Sequence, residues 1–390
     1  MTKRHATIMA DYALAMSQAG TTPEALRPLY ERAHELYEKS LWYQLVLLLD
    51  ELLAHPASKQ RPLQIELYDK LVRSITKHMS PLKHAHIAVV VSRQYENVAD
   101  AHAFLAELAT TLDKDETRDA YVLARIEAAH FQLLLGQVAE TRAAMDECAR
   151  HLDTLGVVEP VVHASYYRVS GNYYKSTAEY AAYYKTFLLY LACIDIDTEL
   201  SVTERVESAH DLALAALLGD SIYNFGELLQ HAVLASLAES EHAWLGNLLH
   251  AFHTGDLGAF EALVPQLGRE QILASHVAFL RQKMCLMALV EHVFQRPPAD
   301  RTLSFETIAA ATRIPVNEVE HLVMKALALG LVHGAIDQVE QIVQITWVQP
   351  RVLDHAQSEA LLGRLDAWCA RVDEVRDFVH AQAPELFAGV

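Results

Sequence analysis

The residues able to do chemistry in this chain are few, and their spacing rarely suits the chemistry they suggest. His84 and His86, one residue apart, make the first half of a metal site. A metalloprotease built on such a pair needs an Asp as third ligand, yet ten residues beyond His86 stand Glu96 and Asn97, in the wrong frame. With 21 histidines in the chain, one such pair arises readily by chance. Asp195-Ile196-Asp197-Thr198-Glu199 opens like a calcium loop, but Leu200 occupies the sixth position, where the sharp turn requires Gly. An acidic, solvated loop between helices is expected instead. Phosphate-cradling GxxxxGK[ST], the GxSxG elbow and HExxH are all absent, and no spacing points to a Ser/His/Asp set. The expectation is no catalytic residue, no bound cofactor and no metal ligand.

A tyrosine cluster, Tyr166, Tyr167, Tyr173, Tyr174, Tyr180, Tyr183, Tyr184 and Tyr190, has the ring faces for stacking on bases. Its near-helical spacing fits another use better, with rings filling space between helices and hydroxyls at the rim. The charge balance agrees: 32 Lys and Arg against 50 Asp and Glu give a formal charge of -18, which repels phosphate backbones. The longest stretch without Asp, Glu, Lys or Arg, residues 242–255, is shorter than the roughly 18 to 20 apolar residues of a membrane span. Residues 1–20 mix Lys3, Arg4 and Asp11 with apolar residues and lack a secretory core. Cys148, Cys193, Cys285 and Cys369 lie far apart without a CxxC pair, which fits a reducing compartment.

The elements that position these residues are mostly helices. From Glu24 to about Gln295 apolar residues recur at three- and four-residue spacing, and about a dozen helices are expected. Turn signals near Gly136, Ser176, Gly219 and Gly255 fall 40, 43 and 36 residues apart, a rhythm that suits helical hairpins stacked as a degenerate α-solenoid. A globular all-helical domain remains the alternative on periodicity alone.

The rhythm changes once, between Arg301 and Val348. A short helix is expected over 303–309 and a longer one over 316–329 after Pro315, then two β-like runs over 331–336 and 342–348. Helix, turn, helix and two-stranded wing spell a winged helix. Phe305, Ile308, Ala309, Val319, Leu322, Val323, Ala326 and Leu329 form its inward set, with Val343, Ile345 and Trp347 alternating toward one side and Trp347 closing the module. Three basic residues (Arg301, Arg313, Lys325) against five acidic ones (Glu306, Glu318, Glu320, Asp337, Glu340) disfavour DNA reading. Pairing with other proteins through an exposed wing edge is the remaining use. After Pro350, Leu361, Leu365, Trp368, Val372, Val375 and Val379 follow at spacings of 4, 3, 4, 3 and 4, a heptad seam. That seam either folds back on the module or joins helices of other subunits, and its length favours the second.

A helical-repeat body ending in a winged helix resembles the PCI family, scaffold subunits of the proteasome lid, the COP9 signalosome and a translation-initiation complex. The stretches Leu303-Ser304-Phe305-Glu306-Thr307-Ile308-Ala309, Val316-Asn317-Glu318-Val319-Glu320 and Thr346-Trp347-Val348-Gln349-Pro350-Arg351 narrow the resemblance. So do Asn224-Phe225-Gly226-Glu227-Leu228-Leu229 and Ala251-Phe252-His253-Thr254-Gly255-Asp256. All are similar to the non-ATPase regulatory subunit 13 family of the 26S proteasome lid. The pattern departs at Pro315, where a hydroxyl cap is usual, and residues 1–25 have no match. The resemblance implies a mainly all-α fold: an N-terminal arm over 1–174, a PCI domain over 175–350 with its winged helix over 299–350, and a bundle helix over 351–390. It implies a non-catalytic scaffold in the cytoplasm and nucleus that meets sibling lid PCI subunits, the lid helical bundle and the ubiquitin-receptor subunit, but neither nucleic acid nor membrane. The contact residues expected are Leu331, Ile336, Val343 and Ile345 on the wing, and Leu361, Leu365, Trp368, Val372, Val375 and Val379 on the last helix. A signalosome or initiation-complex PCI subunit is the alternative within the family, and a winged-helix nucleic-acid regulator the alternative outside it.

Overall fold

The three- and four-residue apolar spacing is realised as helices throughout the body of the chain, in a computed structural model that describes residues 24–59, 63–238, 240–297, 300–352 and 355–382. Most of residues 1–25, and the Leu353-Asp354 junction before the last helix, lie outside the described residues. The chain separates into two compact units, Met1–Glu199 and Leu200–Val390. The fold is mainly α, a helical solenoid with a winged helix.

Counting helices of seven or more residues, the first unit contains α1 (Arg27–Glu38), α2 (Trp42–Ala54), α3 (Pro81–Ser92), α4 (Val98–Leu112), α5 (Arg118–Leu134), α6 (Val138–Thr154), α7 (Pro160–Ser176) and α8 (Tyr180–Cys193). Its centre is α5, which packs against α3, α4, α6 and α7. Ala120, Ala124, Ala128 and Ala129 keep that helix thin enough for neighbours to close in on several sides, and all four are fully buried. The alanine-rich surround leaves room for one ion pair. Arg168 on α7 donates to both oxygens of Glu127 at 2.6 Å. Burial pushes the Glu127 carboxyl toward its neutral form, but the Arg168 guanidinium outweighs it and holds the group below the usual carboxylate range. Tyr173, Tyr183 and Tyr184 are buried, and Tyr166, Tyr167, Tyr174, Tyr180 and Tyr190 half-buried, so the tyrosines pack the α7 and α8 region. The unit closes at Glu199, after α8 packs along α7 and completes that hairpin.

In the second unit come α9 (Val202–Leu218), α10 (Ala243–Thr254), α11 (Leu257–Leu263) and α12 (Val277–Phe294), with shorter helical pieces between them. Together with the first unit, the twelve long helices between Arg27 and Phe294 match the dozen expected. α9 begins with a capping box, in which Ser201 Oγ accepts from the Glu204 N–H at 3.3 Å while Glu204 accepts from the Ser201 N–H at 2.9 Å. α10 ends at Gly255, whose left-handed φ of 70° suits glycine. A Cβ there would also lie 3.0 Å from the Ala288 Cα of α12. α12 reaches α9 through Lys283, a fully buried cation whose Nζ donates to the carbonyls of Ala216, Leu217 and Gly219 at 2.7, 3.1 and 2.8 Å. Three donors thus meet the orphan carbonyls at the C-terminus of α9. Burial draws the Lys283 pKa down to about 7, a pull that Asp220 opposes.

The winged helix follows as β1 (Thr302–Ser304), α13 (Phe305–Thr312), α14 (Val316–Ala328), β2 (Val332–Asp337) and β3 (Ile342–Val348). Its sheet is three-stranded in the order β1-β3-β2, antiparallel throughout. The expected helix over 303–309 therefore starts two residues late: Leu303 pairs with Val343 in the sheet, and Ser304 caps α13 by accepting from the Thr307 N–H at 3.2 Å. A three-residue strand is too short for alternation to reveal.

Candidate interaction surface

The sheet uses up part of what the sequence offered as a docking face. Leu331 is 2 % exposed, Val343 1 % and Ile345 3 %. Their side chains belong to the core of the winged helix, which corrects the expectation that they meet a partner. The alternating face of a small wing has to be covered by its own helices before anything else can use it. Ile336 is half-buried, while His333, Gly334, Ala335 and Asp337 around it are exposed.

Trp347 was expected to face inward with Val343 and Ile345, and it does not. The register runs from His333 opposite Trp347 to Gly334 opposite Ile345, leaving Thr346 as an extra residue on β3. That bulge reverses the alternation, so Val348 turns inward at 8 % exposure and Trp347 turns out at 38 %. Trp347 instead stacks on His333, with ring centroids 4.5 Å apart. Gly334 makes the bulge possible, since a Cβ there would lie 2.2 Å from the Gln344 carbonyl oxygen. Among the described residues β2 pairs only with β3, so its outer backbone edge is unpaired.

Beyond the sheet the chain is pinned before it leaves. Arg351 is nearly buried, donating to the Glu291 carboxylate of α12 and to the His253 carbonyl of α10. Val352 packs on Gly226. The last helix, α15 (His355–Gln382), has 28 residues, a length of about 42 Å. From Ser358 to Gln382 every side chain is exposed except the half-buried Val379. At 100° per residue, Leu361, Leu365, Trp368, Val372, Val375 and Val379 fall within an arc of about 80°. Leu361, Leu365, Trp368, Val372 and Val375 are 46, 52, 63, 46 and 61 % exposed. Leu362 and Phe378, both exposed, widen the stripe at opposite ends and were not anticipated. The other faces carry Arg364, Asp366, Arg371, Asp373 and Arg376.

The remaining candidates offer little for catalysis. His84 Nε2 lies 2.9 Å from the Tyr68 hydroxyl, and burial lowers the pKa of both His84 and His86. Neither belongs to the one set among the described residues that brings three potential ligand atoms within 4.8 Å, His210, His242 and Glu270. A cavity of about 830 Å³ in the first unit has no Ser, Thr or Cys in its lining, and Asp50, its carboxylate, pairs with Lys83 at 3.1 Å. The acidic residues 196–199 form one helical turn rather than a calcium loop. Cys148, Cys193, Cys285 and Cys369 are free thiols, and burial pushes Cys148 up to about 12. No helix among the described residues is long and apolar enough to cross a membrane. On the winged helix, Arg313 pairs with Glu261 at 3.2 Å and Lys325 Nζ donates to Gln282 at 2.6 Å, so two of its three basic groups already have partners.

Comparison with known proteins agrees with this architecture. The family described as PSD13 N-terminal repeats matches residues 29–249, and the PCI domain family matches residues 261–347. The probable 26S proteasome regulatory subunit rpn9 of Schizosaccharomyces pombe is 42 % identical, over 95 % of this chain and 96 % of that protein. The chain belongs to the 26S proteasome non-ATPase regulatory subunit 13 family. Homolog B of that subunit in Arabidopsis thaliana is 36 % identical over 95 % of this chain and 98 % of its own length. A weaker, partial likeness joins the chain to translation initiation factor 3 subunit M of Emericella nidulans, 29 % identical over 45 % of this chain and 41 % of that protein. Spacing signalled the α15 stripe. The Glu127–Arg168 pair, Lys283 and the His210 cluster gave no local signal, because their partners lie 28 to 67 residues away.

Proposed function

We propose that the chain is a non-catalytic scaffold subunit of the proteasome lid, which docks through the apolar stripe of α15 and the free edge of β2. The observation that carries this reading is the stripe itself. Leu361, Leu365, Trp368, Val372 and Val375 stay in water on a helix that its own unit does not cover, and a seam of heptad spacing is complementary to other helices of the same kind. Sibling PCI subunits and a shared helical bundle are the partners this geometry suits. The β2 edge, with Ile336 beside it, suits a neighbouring winged helix. The division into an arm, a PCI domain and a bundle helix, contact with the ubiquitin-receptor subunit, and residence in cytoplasm and nucleus are parts of the same reading.

The test is removal of residues 355–390. Truncation there keeps Arg351, which is held by α10 and α12, and Val352, which packs on Gly226, so the remaining chain is expected to fold. It is expected to fail to enter the lid in a native-gel assembly assay. Incorporation equal to that of the full chain would defeat the reading. Co-purification with signalosome or initiation-complex subunits, in place of lid subunits, would move the chain to a different assembly.

A further inference from the structure

We propose that His210, His242 and Glu270 form a binding site for a divalent metal ion of the zinc class, which staples three segments of the second unit. The three side chains come from separate elements: His210 from the middle of α9, His242 from the residue before α10, and Glu270 from the residue before the short helix Gln271–Ser275. One ligand atom from each lies within 4.8 Å of the other two. His210 Nε2 and Glu270 Oε1 are 3.1 Å apart, close to the edge of about 3.3 Å between two ligands of a tetrahedron with metal bonds of about 2.0–2.1 Å. The two imidazoles are in contact, with centroids 4.4 Å apart and planes inclined by 55°, and one nitrogen of each lies within 4.8 Å of the other and of a Glu270 oxygen.

The donor set decides the ion. Two imidazoles and one carboxylate suit Zn²⁺ and Co²⁺ better than calcium or magnesium, which take oxygen ligands. Asp211 Oδ1 lies 3.6 Å from His210 Nδ1, the side of the ring away from Glu270. A carboxylate there favours the tautomer that presents Nε2 to a metal, as outer carboxylates of histidine–zinc sites do. Side-chain exposures of 19 % for His210 and 24 % for Glu270 leave the ligands reachable by a hydrated ion yet largely dry. Without metal, His210 Nε2 and Glu270 Oε1 are within hydrogen-bonding distance of each other. With metal, any proton held between them leaves and both atoms turn to the ion. The fourth position is left to water.

Titration of the full chain, with thiols alkylated, by Co²⁺ tests the site. The expected result is visible d–d absorption of tetrahedral Co²⁺ that saturates at one equivalent and is displaced by Zn²⁺. Glu270→Gln and His242→Ala are each expected to weaken binding by about 10- to 100-fold or more. His250→Ala, an exposed histidine on α10, should leave it unchanged. Circular dichroism checks folding. If His242→Ala unfolds, the near-isosteric Glu270→Gln carries the test alone. Absence of saturable binding, equal affinity in Glu270→Gln, or equal loss in His250→Ala would each overturn the proposal.

Discussion

Replacing Trp368 by Ala separates docking from folding more sharply than any other single change. Trp368 is 63 % exposed, and a tryptophan can bury up to about 250 Å², so roughly 160 Å² remains for a partner. At about 25 cal/mol per Å² that surface is worth about 4 kcal/mol when fully covered. Partial coverage and the retained Cβ bring the expected loss to about 2–4 kcal/mol, or about 30- to 700-fold in affinity. The isolated chain should not notice. Trp368 contributes nothing to a core, and alanine is the better helix former, so the unfolding free energy should change by no more than about 0.5 kcal/mol. Competition between wild-type and Trp368→Ala chains for lid particles lacking this subunit measures the first quantity, and urea denaturation of the isolated chain the second. A marked drop in the stability of the isolated chain would mean that α15 folds back on its own unit. Equal competition would mean that the stripe is not the docking surface.

Two further changes test the core. Arg168→Met strands the Glu127 carboxylate in the centre of the first unit and is expected to cost about 3–5 kcal/mol by urea denaturation, with Glu127→Gln in the same chain recovering part of it. The pH dependence has a definite sign: Glu127 titrates below its unfolded value, so the pair stabilises above the usual carboxylate range and that contribution is lost as pH falls through the folded pKa. A wild-type acid transition no steeper than that of the double variant would refute this. Gly334→Ala drives a Cβ against the Gln344 carbonyl and should cost about 1–3 kcal/mol in thermal unfolding, whereas Ala335→Gly next to it should cost less.

What was legible depended on how far apart the interacting residues lie. Periodicity predicts a mainly helical body, and the turn signals at Gly136, Ser176, Gly219 and Gly255 stand at real helix ends, because a helix records its buried face within each turn. The β3 run was read with its true limits, yet its last inward residue was taken as Trp347 instead of Val348. Alternation cannot reveal a bulge, and only the paired strand shows that Thr346 is extra. β1 was missed for a related reason, since three residues become a strand only through Val343 and its neighbours. Within the candidate surface, the heptad spacing of α15 was readable but its exposure was not. Helical three- and four-residue spacing on α14 belongs to buried residues, Val319, Leu322, Val323 and Ala326.

Under the proposed scaffold role, the contrast between α14 and α15 divides the work between the two parts of the surface. The winged helix covers Leu331, Val332, Val343, Ile345 and Val348, so what β2 still offers is mainly backbone, N–H and C=O groups that pair with any strand. Such an edge fixes orientation and register and discriminates poorly between partners. α15 offers the reverse: its backbone bonds close within the helix, and its exposed value is all in side chains of defined size and order. A coiled seam selects partners by the fit of those knobs. In the proposed role among sibling subunits the two are complementary, the edge giving orientation and the stripe giving selectivity. Arg351, four residues before α15, is pinned to α10 and α12. Exchanging the α15 stripe for that of a sibling should therefore change which neighbour is chosen while leaving strand pairing intact.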